Sequence, residues 1–380
     1  MKLLEYKAHE LFSTYQLPCM KGKITSSVEE LKAMDSIISY PMVLKAQVQT
    51  GGRGKAGGIQ FAENSEELWE KAEFLYNLTI KDLPVEKVFA AEKVELTTEM
   101  YLSITLDRKQ KQAVLIYSPE GGVDINEIAE ENPDKLIKVH IPPNEGLQDF
   151  IIQYVMDKSS VPQELRTDFI DICQKLYLIF TEYNCLLAEI NPLVITDAGR
   201  MLALDGKIDI DDNALFKHED IRIFRDEITD NPLVLEARSY DFLYIPIQDR
   251  GSIAVISNGS GMIMSSIDLI SKQGMEVTCA LDLGGGATSD RIQEALRIVA
   301  SNPKIETIFL NIFGGITRCD EIAKGILQSL DSMHNIWLVV RLEGTNKERG
   351  LEILKAAGDR VTQVEGLNDG VKILGQRIAK

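Results

Sequence analysis

The chain has 380 residues, 44% of them hydrophobic, enough to bury full cores and to divide into two or three domains. Its 58 acids against 41 bases give a formal net charge of −17, which argues against nucleic acid or an anionic membrane as partner, since both reward positive surfaces. No apolar run approaches the ~20 residues that cross a bilayer, and the first ten residues carry acids and lack a signal peptide's apolar stretch, so a cytoplasmic location is expected.

A helical pattern opens the chain at Leu4, Ala8, Leu11 and Phe12. A strand over residues 42–46 follows and sets Lys45 just ahead of a loop, Thr50-Gly-Gly-Arg-Gly-Lys-Ala-Gly-Gly58. Glycines let backbone N–H groups approach anionic oxygens, and Arg53 and Lys55 add charge, so the loop reads as a phosphate cradle or as a glycine-rich surface turn. It is not a P-loop, because Lys55 is followed by Ala56 rather than Ser or Thr. Lys45 either reaches a nucleotide phosphate or base or faces solvent. Glu92 and Glu99 frame a passage into residues 100–106, an apolar and β-branched run expected to form a buried strand.

Farther along, the apolar run 186–188 leads to Asn191 and the run 201–204 leads to Asp205, with a hairpin turn expected over 196–200. Two antiparallel strands bring these side chains together. Mg²⁺ takes hard oxygen ligands and only one or two from protein, which suits one amide and one carboxylate. The competing reading treats Asn191-Pro192 and Asp205-Gly206 as ordinary turn pairs.

A domain boundary is expected near residue 240, giving domains 1–240 and 241–380. Beyond it an apolar strand, a glycine or asparagine turn and an amphipathic helix recur, with strands at 253–256, 277–283, 307–312, 337–341 and 361–364. Alternating βα units imply a doubly wound parallel sheet in a flavodoxin-like order, with ligands at the carboxyl ends of the strands. The turn at Gly315, Ile316 and Thr317 can seat a carboxylate or phosphate on a helix N-terminus. The Gly259-Ser-Gly261 turn is a poor dinucleotide fingerprint, because Met264 stands at the third glycine position. The five cysteines, Cys19, Cys173, Cys185, Cys279 and Cys319, are odd in number and widely spaced, as reduced packing residues are.

The chain resembles the β subunits of the succinyl-CoA synthetase (succinate–CoA ligase) family, ADP-forming type. The likeness runs through Glu5-Tyr-Lys-Ala8, Gly51-Gly-Arg-Gly-Lys-Ala-Gly-Gly58, Glu120-Gly-Gly-Val-Asp124, Glu189-Ile-Asn-Pro-Leu-Val194, Leu204-Asp-Gly-Lys207, Asp212-Asn-Ala-Leu-Phe216, Asp282-Leu-Gly-Gly-Gly-Ala287 and Asn311-Ile-Phe-Gly-Gly-Ile316 with Arg318-Cys-Asp320. The resemblance implies an α/β and α+β chain: an N-terminal ATP-grasp fold, with a lobe of roughly residues 21–100 inserted into the rest, then a flavodoxin-like CoA-ligase domain. It implies the reaction ATP + succinate + CoA ⇌ ADP + phosphate + succinyl-CoA, with Mg²⁺ and with GTP as an alternative nucleotide.

Carried over position by position, Lys45, Gly52, Arg53, Gly54, Glu92 and Glu99 bind the nucleotide, and Asn191 and Asp205 bind the metal. Asn258 and the Gly315-Ile316-Thr317 turn touch the acid. Thr317 departs from the family, where valine is common, which keeps a malate–CoA ligase or another dicarboxylate–CoA ligase as the alternative. A stand-alone ATP-grasp carboxylate–amine ligase is a further, weaker reading. The family passes phosphoryl through a histidine, and none of His9, His140, His218 and His334 lies in a glycine-rich loop suited to that. The phosphohistidine and the main CoA site are therefore expected on a partner α subunit, with Glu189 steadying that histidine.

Overall fold

The computed structural model describes residues 1–33, 39–50, 52–159, 161–229, 231–333 and 335–378, and the chain divides into two units, Met1–Arg222 and Ile223–Lys380. Gly51 of the glycine loop and His334 lie outside the described residues.

In chain order the first unit runs α1 (Glu5–Thr14), β1 (Gly22–Thr25), α2 (Val28–Ala33), β2 (Met42–Gln47), β3 (Ile59–Ala62), α3 (Ser65–Tyr76), a short pair β4 (Thr79–Ile80) and β5 (Leu83–Pro84), and β6 (Lys87–Glu92). It continues through β7 (Leu96–Asp107), β8 (Gln112–Ser118), α4 (Ile125–Glu131), β9 (Ile137–Ile141), α5 (Asp149–Lys158), α6 (Arg166–Glu182), β10 (Cys185–Thr196), β11 (Met201–Ala203) and β12 (Gly206–Ile210). Two antiparallel sheets result. One has the order β1-β6-β2-β3; the other has β11-β10-β7-β8-β9, with β12 also paired to β10.

Strand β2 is central in its sheet, and all six of its residues are buried, including Lys45 and Gln47. Buried polar groups must find partners, and these two find theirs in the site. Helix α3 starts where the Asn64 side chain accepts from the Glu67 N–H at 3.0 Å, satisfying a donor that the helix itself cannot.

The expected hairpin forms: the Thr196 N–H donates to the Arg200 carbonyl at 2.9 Å, with Gly199 at φ +69°. Helix α1 lies against β12, where a Cβ on Gly206 would stand 2.4 Å from the Phe12 ring. Gly206 thus answers to close packing, and that contact fixes its neighbour Asp205.

Helix α7 (Glu219–Glu227) spans the division. The second unit continues with α8 (Pro232–Ser239), β13 (Leu243–Pro246), β14 (Ile253–Ser257), α9 (Ser260–Lys272), β15 (Val277–Asp282) and α10 (Ser289–Ala300). Then come β16 (Thr307–Gly314), α11 (Cys319–Ser329), β17 (Trp337–Gly344), α12 (Lys347–Leu354), β18 (Val361–Gln363) and α13 (Leu367–Ile378). Ala237 of α8 joins Phe242, Tyr244 and the second core, so residues between the division and 240 pack with this unit.

The sheet order is β13-β15-β14-β16-β17-β18, parallel except for β13. Counting the parallel strands alone, this is the 2-1-3-4-5 flavodoxin-like arrangement, and β13 adds an antiparallel edge. One sheet face carries Ile292, Leu296, Ile322 and Ile326 from α10 and α11; the other carries Ile263, Ile270, Val371 and Leu374 from α9 and α13. Among the described residues no helix is long and apolar enough to cross a membrane.

At the carboxyl ends of β16 and β17, Gly344 sits at φ +127°, and a Cβ there would stand 2.2 Å from the Gly314 carbonyl oxygen. Gly344→Ala is expected to destabilise the chain by roughly 1–3 kcal/mol, read as a lower denaturant midpoint. An unchanged midpoint would show that the two strand ends separate freely.

Candidate active site

Four charged side chains converge where β2 faces α1 and the β11–β12 connection. Lys45 Nζ donates to Glu5 Oε1 and to the Leu204 carbonyl, both at 2.8 Å. Arg53 Nη1 donates to Glu5 Oε2 at 2.5 Å and to the Ala46 carbonyl at 3.2 Å, while its Nη2 donates to Asp205 Oδ2 at 2.9 Å. Burial opposes ionisation of Glu5, yet the Lys45 and Arg53 charges overcome it and hold the carboxyl down at about 2. Asp205 goes the other way: burial and then the Glu5 charge push it up to about 6, against the pull of Arg53 and Lys45.

Because the folded Glu5 has the lower pKa, its ionisation stabilises the fold above its unfolded value, near 4.3. That contribution is lost as pH falls through about 2, and it is worth on the order of 3 kcal/mol. Glu5→Gln is therefore expected to flatten the acid limb of the melting temperature against pH; an unaltered limb would contradict the ion cluster.

The glycine loop closes on itself. Ala56 N–H donates to the Gly52 and Arg53 carbonyls and Gly58 N–H donates to the Arg53 carbonyl at 2.8 Å, with Gly52 at φ +84° and Gly57 at φ +79°. Arg53 turns inward from this loop. Lys55, 3.4 Å from Glu127, remains exposed. Gly54 is exposed within the same turn.

Asn191 lies mid-way along β10, where the pairing to β7 shifts register between Ile190 and Leu193. Its backbone N–H donates to the Asp205 carbonyl at 3.2 Å, which places the two expected metal ligands side by side. The Asn191 amide also holds the loop before α4: Oδ1 accepts from the Gly122 N–H at 2.8 Å and Nδ2 donates to the Val123 carbonyl at 3.0 Å. Both residues offer hard oxygens, and among the described residues no cluster of three or more His, Cys, Asp or Glu side chains gathers to hold a metal. A two-oxygen pair of this kind fits magnesium, which keeps most of its shell as water and phosphate.

Glu189, two residues before Asn191, accepts from the Tyr101 hydroxyl at 3.2 Å and faces Lys207 across the β10–β12 pair. Burial pushes its carboxyl above the ordinary range, with Lys207, Tyr101 and Asn191 pulling it back. Glu99 lies against the same loop: a Cβ on Gly122 would stand 2.6 Å from its Oε2. It lines a hollow of about 760 Å³ with Thr97, Gly121 and Val123. Glu92, at the exposed end of β6, lines a different hollow of about 720 Å³ with Lys21, Thr196 and Arg200.

In the second unit the turn after β16 is held by its neighbours. Asn258 Oδ1 accepts from the Phe313 N–H at 3.0 Å, and its Nδ2 donates to the Phe313 carbonyl at 2.9 Å and to Thr317 Oγ1 at 3.2 Å. The Thr345 hydroxyl donates to the Gly315 carbonyl at 2.7 Å. Thr317 is buried, Ile316 projects at 83% exposure, and a Cβ on Gly315 would meet nothing within 4 Å. The Thr317 hydroxyl, where the family commonly has valine, is answered within the chain by the amide of Asn258.

A family model described as an ATP-grasp domain matches residues 2–195, and one described as CoA-ligase matches residues 256–371. The β subunit of ADP-forming succinate–CoA ligase from Methanocaldococcus jannaschii is 41% identical over 94% of this chain and 95% of its own. The chain belongs to the succinate–CoA ligase β-subunit family. The GDP-forming β subunit from Thermus thermophilus is 39% identical over 93% of each chain, so likeness of this order is shared with both nucleotide types. ATP citrate lyase from Methanothrix soehngenii, solved with citrate and coenzyme A, covers 100% of this chain and 99% of its own at TM-score 0.80 and 17% identity, a shared fold.

For a succinate–CoA ligase β subunit, the part that sequence reading left without a role is Glu5. Its motif Glu5-Tyr-Lys-Ala8 was visible; the signal to notice was an acid on the buried face of α1 beside Tyr6, Ala8, His9 and Phe12. Tyr101 was read only as part of an apolar strand. The described histidines are all engaged in packing or pairing. His9 is buried with Nδ1 at the Met20 carbonyl, His140 pairs with Asp107 at 2.9 Å, and His218 stacks on Tyr183. All five cysteines are free and buried, as expected of packing residues.

Proposed function

We propose that this chain is the nucleotide-binding β subunit of an ADP-forming succinate–CoA ligase and interconverts ATP + succinate + CoA with ADP + phosphate + succinyl-CoA together with an α subunit. The convergence of Lys45, Arg53 and Asp205, with Asn191 joined to Asp205 through the backbone, carries the reading. It assembles two cations and two hard oxygen donors, which is what a magnesium nucleotide requires, since phosphoryl transfer depends on positioning and charge neutralisation. Gly52, Arg53, Gly54 and Lys45 take the phosphates, and Glu92 and Glu99 help hold the nucleotide. Asn191 and Asp205 would hold Mg²⁺, whose charge offsets that of the phosphates.

The phosphohistidine and the main CoA site belong to the α subunit, and Glu189 steadies that histidine during transfer. A carboxylate on one ring nitrogen fixes tautomer and orientation. Asn258 and the turn at Gly315, Ile316 and Thr317 serve the acid. That turn precedes α11, whose N-terminal dipoles favour a carboxylate. The Thr317 hydroxyl, buried and bonded to Asn258, faces protein, which supports succinate over a hydroxylated acid.

The test is CoA-thioester formation by the chain co-purified with its α subunit, with Mg-ATP or Mg-GTP and succinate, malate and related acids. Succinate-dependent turnover supports the reading. Turnover by this chain alone refutes the two-subunit mechanism, and preference for malate changes the substrate.

A further inference from the structure

Both cations assigned to the nucleotide meet on one carboxylate, that of Glu5. Glu5 is 5% exposed; its Oε1 accepts from Lys45 at 2.8 Å, and its Oε2 accepts from Arg53 at 2.5 Å and from Gln47 Nε2 at 3.3 Å. Gln47 in turn accepts from the Tyr6 backbone N–H at 3.1 Å, so the first turn of α1 is stitched to β2. The other side of α1 is tied to the second sheet. The Leu3 N–H donates to the Ile208 carbonyl at 3.0 Å, the Met1 ammonium lies 3.4 Å from Asp209, and Phe12 packs on Gly206. Glu5 is thus carried by the sheet that holds Asp205 and grips two cations reached from the sheet that holds the glycine loop.

Two cations this close repel, and in a buried place the repulsion is poorly screened. An anion fixed between them sets their spacing and direction before any ligand arrives, so that less ordering is left to the moment of binding. A neutral side chain of the same shape would keep the hydrogen-bond acceptor but not the charge.

We propose that Glu5 is a positioning residue for the nucleotide's phosphates, acting through Lys45 and Arg53 and setting the approach of the two sheets around them. This rests on the nucleotide-binding reading given above. Glu5 itself touches no substrate.

The experiment compares Mg-ADP binding by calorimetry to the full wild-type chain, Glu5→Gln and Glu5→Asp, and then steady-state kinetics of each with the α subunit. Glu5→Gln is expected to weaken Mg-ADP about tenfold or more and to raise the nucleotide KM in step, leaving KM for succinate and CoA unchanged. Glu5→Asp, which keeps the charge on a shorter stem, should fall between wild type and Glu5→Gln. In an Arg53→Met background the effect of Glu5→Gln should shrink, because the residue through which it acts is gone.

Wild-type affinity in folded Glu5→Gln overturns the proposal, as does a parallel rise of all three KM values, the mark of a merely structural role. If Glu5→Gln does not fold, Glu5→Asp carries the test, and wild-type affinity there overturns it equally. A wild-type chain that binds no Mg-ADP overturns the functional reading itself, and this inference with it.

Discussion

Asp205→Asn, assembled with the α subunit, is expected to lose about a thousandfold in nucleotide-dependent thioester formation while folding at least as stably as wild type. The activity term follows from charge. A metal clamp on a transferring phosphoryl group contributes several kcal/mol, and each ~1.4 kcal/mol is tenfold in rate. The stability term follows from the direction of the shift. The Asp205 carboxyl is pushed up to about 6, first by burial and then by Glu5, so the folded chain holds its proton more tightly than the unfolded chain does.

Whatever stability that protonation confers is full below the unfolded value, near 3.9, and is lost as pH rises through about 6. At neutral pH the ionised side chain is therefore a burden on the fold, and the neutral amide removes it. Arg53 keeps Glu5 and the Ala46 carbonyl as partners. That outcome would place Asp205 among functional residues held against the interest of stability. Melting temperature against pH and turnover, measured on the same preparation, decide it. A drop in both would make Asp205 a structural ion-pair residue, and retained turnover would remove it from the proposed metal site.

Much of this was legible in the sequence because local and global preferences agree. The second unit is the clearest case. Each apolar run ending in a glycine or asparagine turn became a strand of a 2-1-3-4-5 sheet, since a strand covered on both faces must be apolar throughout. The edge strand β13 was missed because Leu243 is exposed, Tyr244 buried and Ile245 only partly buried, over too few residues to stand out from the mixed stretch before them. Asn191 and Asp205 were readable as a pair because the hairpin between them has ordinary turn chemistry.

The partners of these residues were not readable. Lys45 and Glu5 lie forty positions apart, and nothing in either local pattern says that α1 will present an acid to β2. Buried charge of this kind is recognised by its complement, and the complement is a fact of tertiary structure. The Gly121–Gly122 turn is similar: its glycines are needed because the loop lies on the Met100 backbone and against Glu99, contacts that motif spacing does not encode.

Glu189→Gln should separate nucleotide binding from phosphoryl transfer. The side chain lies on β10 two residues before Asn191 and is bonded by Tyr101, whereas Lys45 and Arg53 are held by Glu5 and Asp205, so Mg-ADP affinity is expected to stay at the wild-type level. On the function proposed above, what changes is the group offered to a histidine of the α subunit. A glutamine of the same shape still accepts from Tyr101, but it cannot stabilise an imidazolium or take its proton. Loss of such a group typically costs about 10²–10⁴-fold. Phosphohistidine formed on the α subunit from Mg-ATP, followed in time, gives the rate directly.

Wild-type labelling by Glu189→Gln would leave Glu189 as a strand residue whose charge serves Lys207 and Tyr101. Loss of Mg-ADP binding as well would place it in the proposed metal site with Asn191, two residues on. Slow labelling with intact binding is the outcome that the buried, raised carboxyl leads one to expect, because a group whose pKa lies nearer neutrality is better suited to exchange a proton with an imidazole than an ordinary surface glutamate.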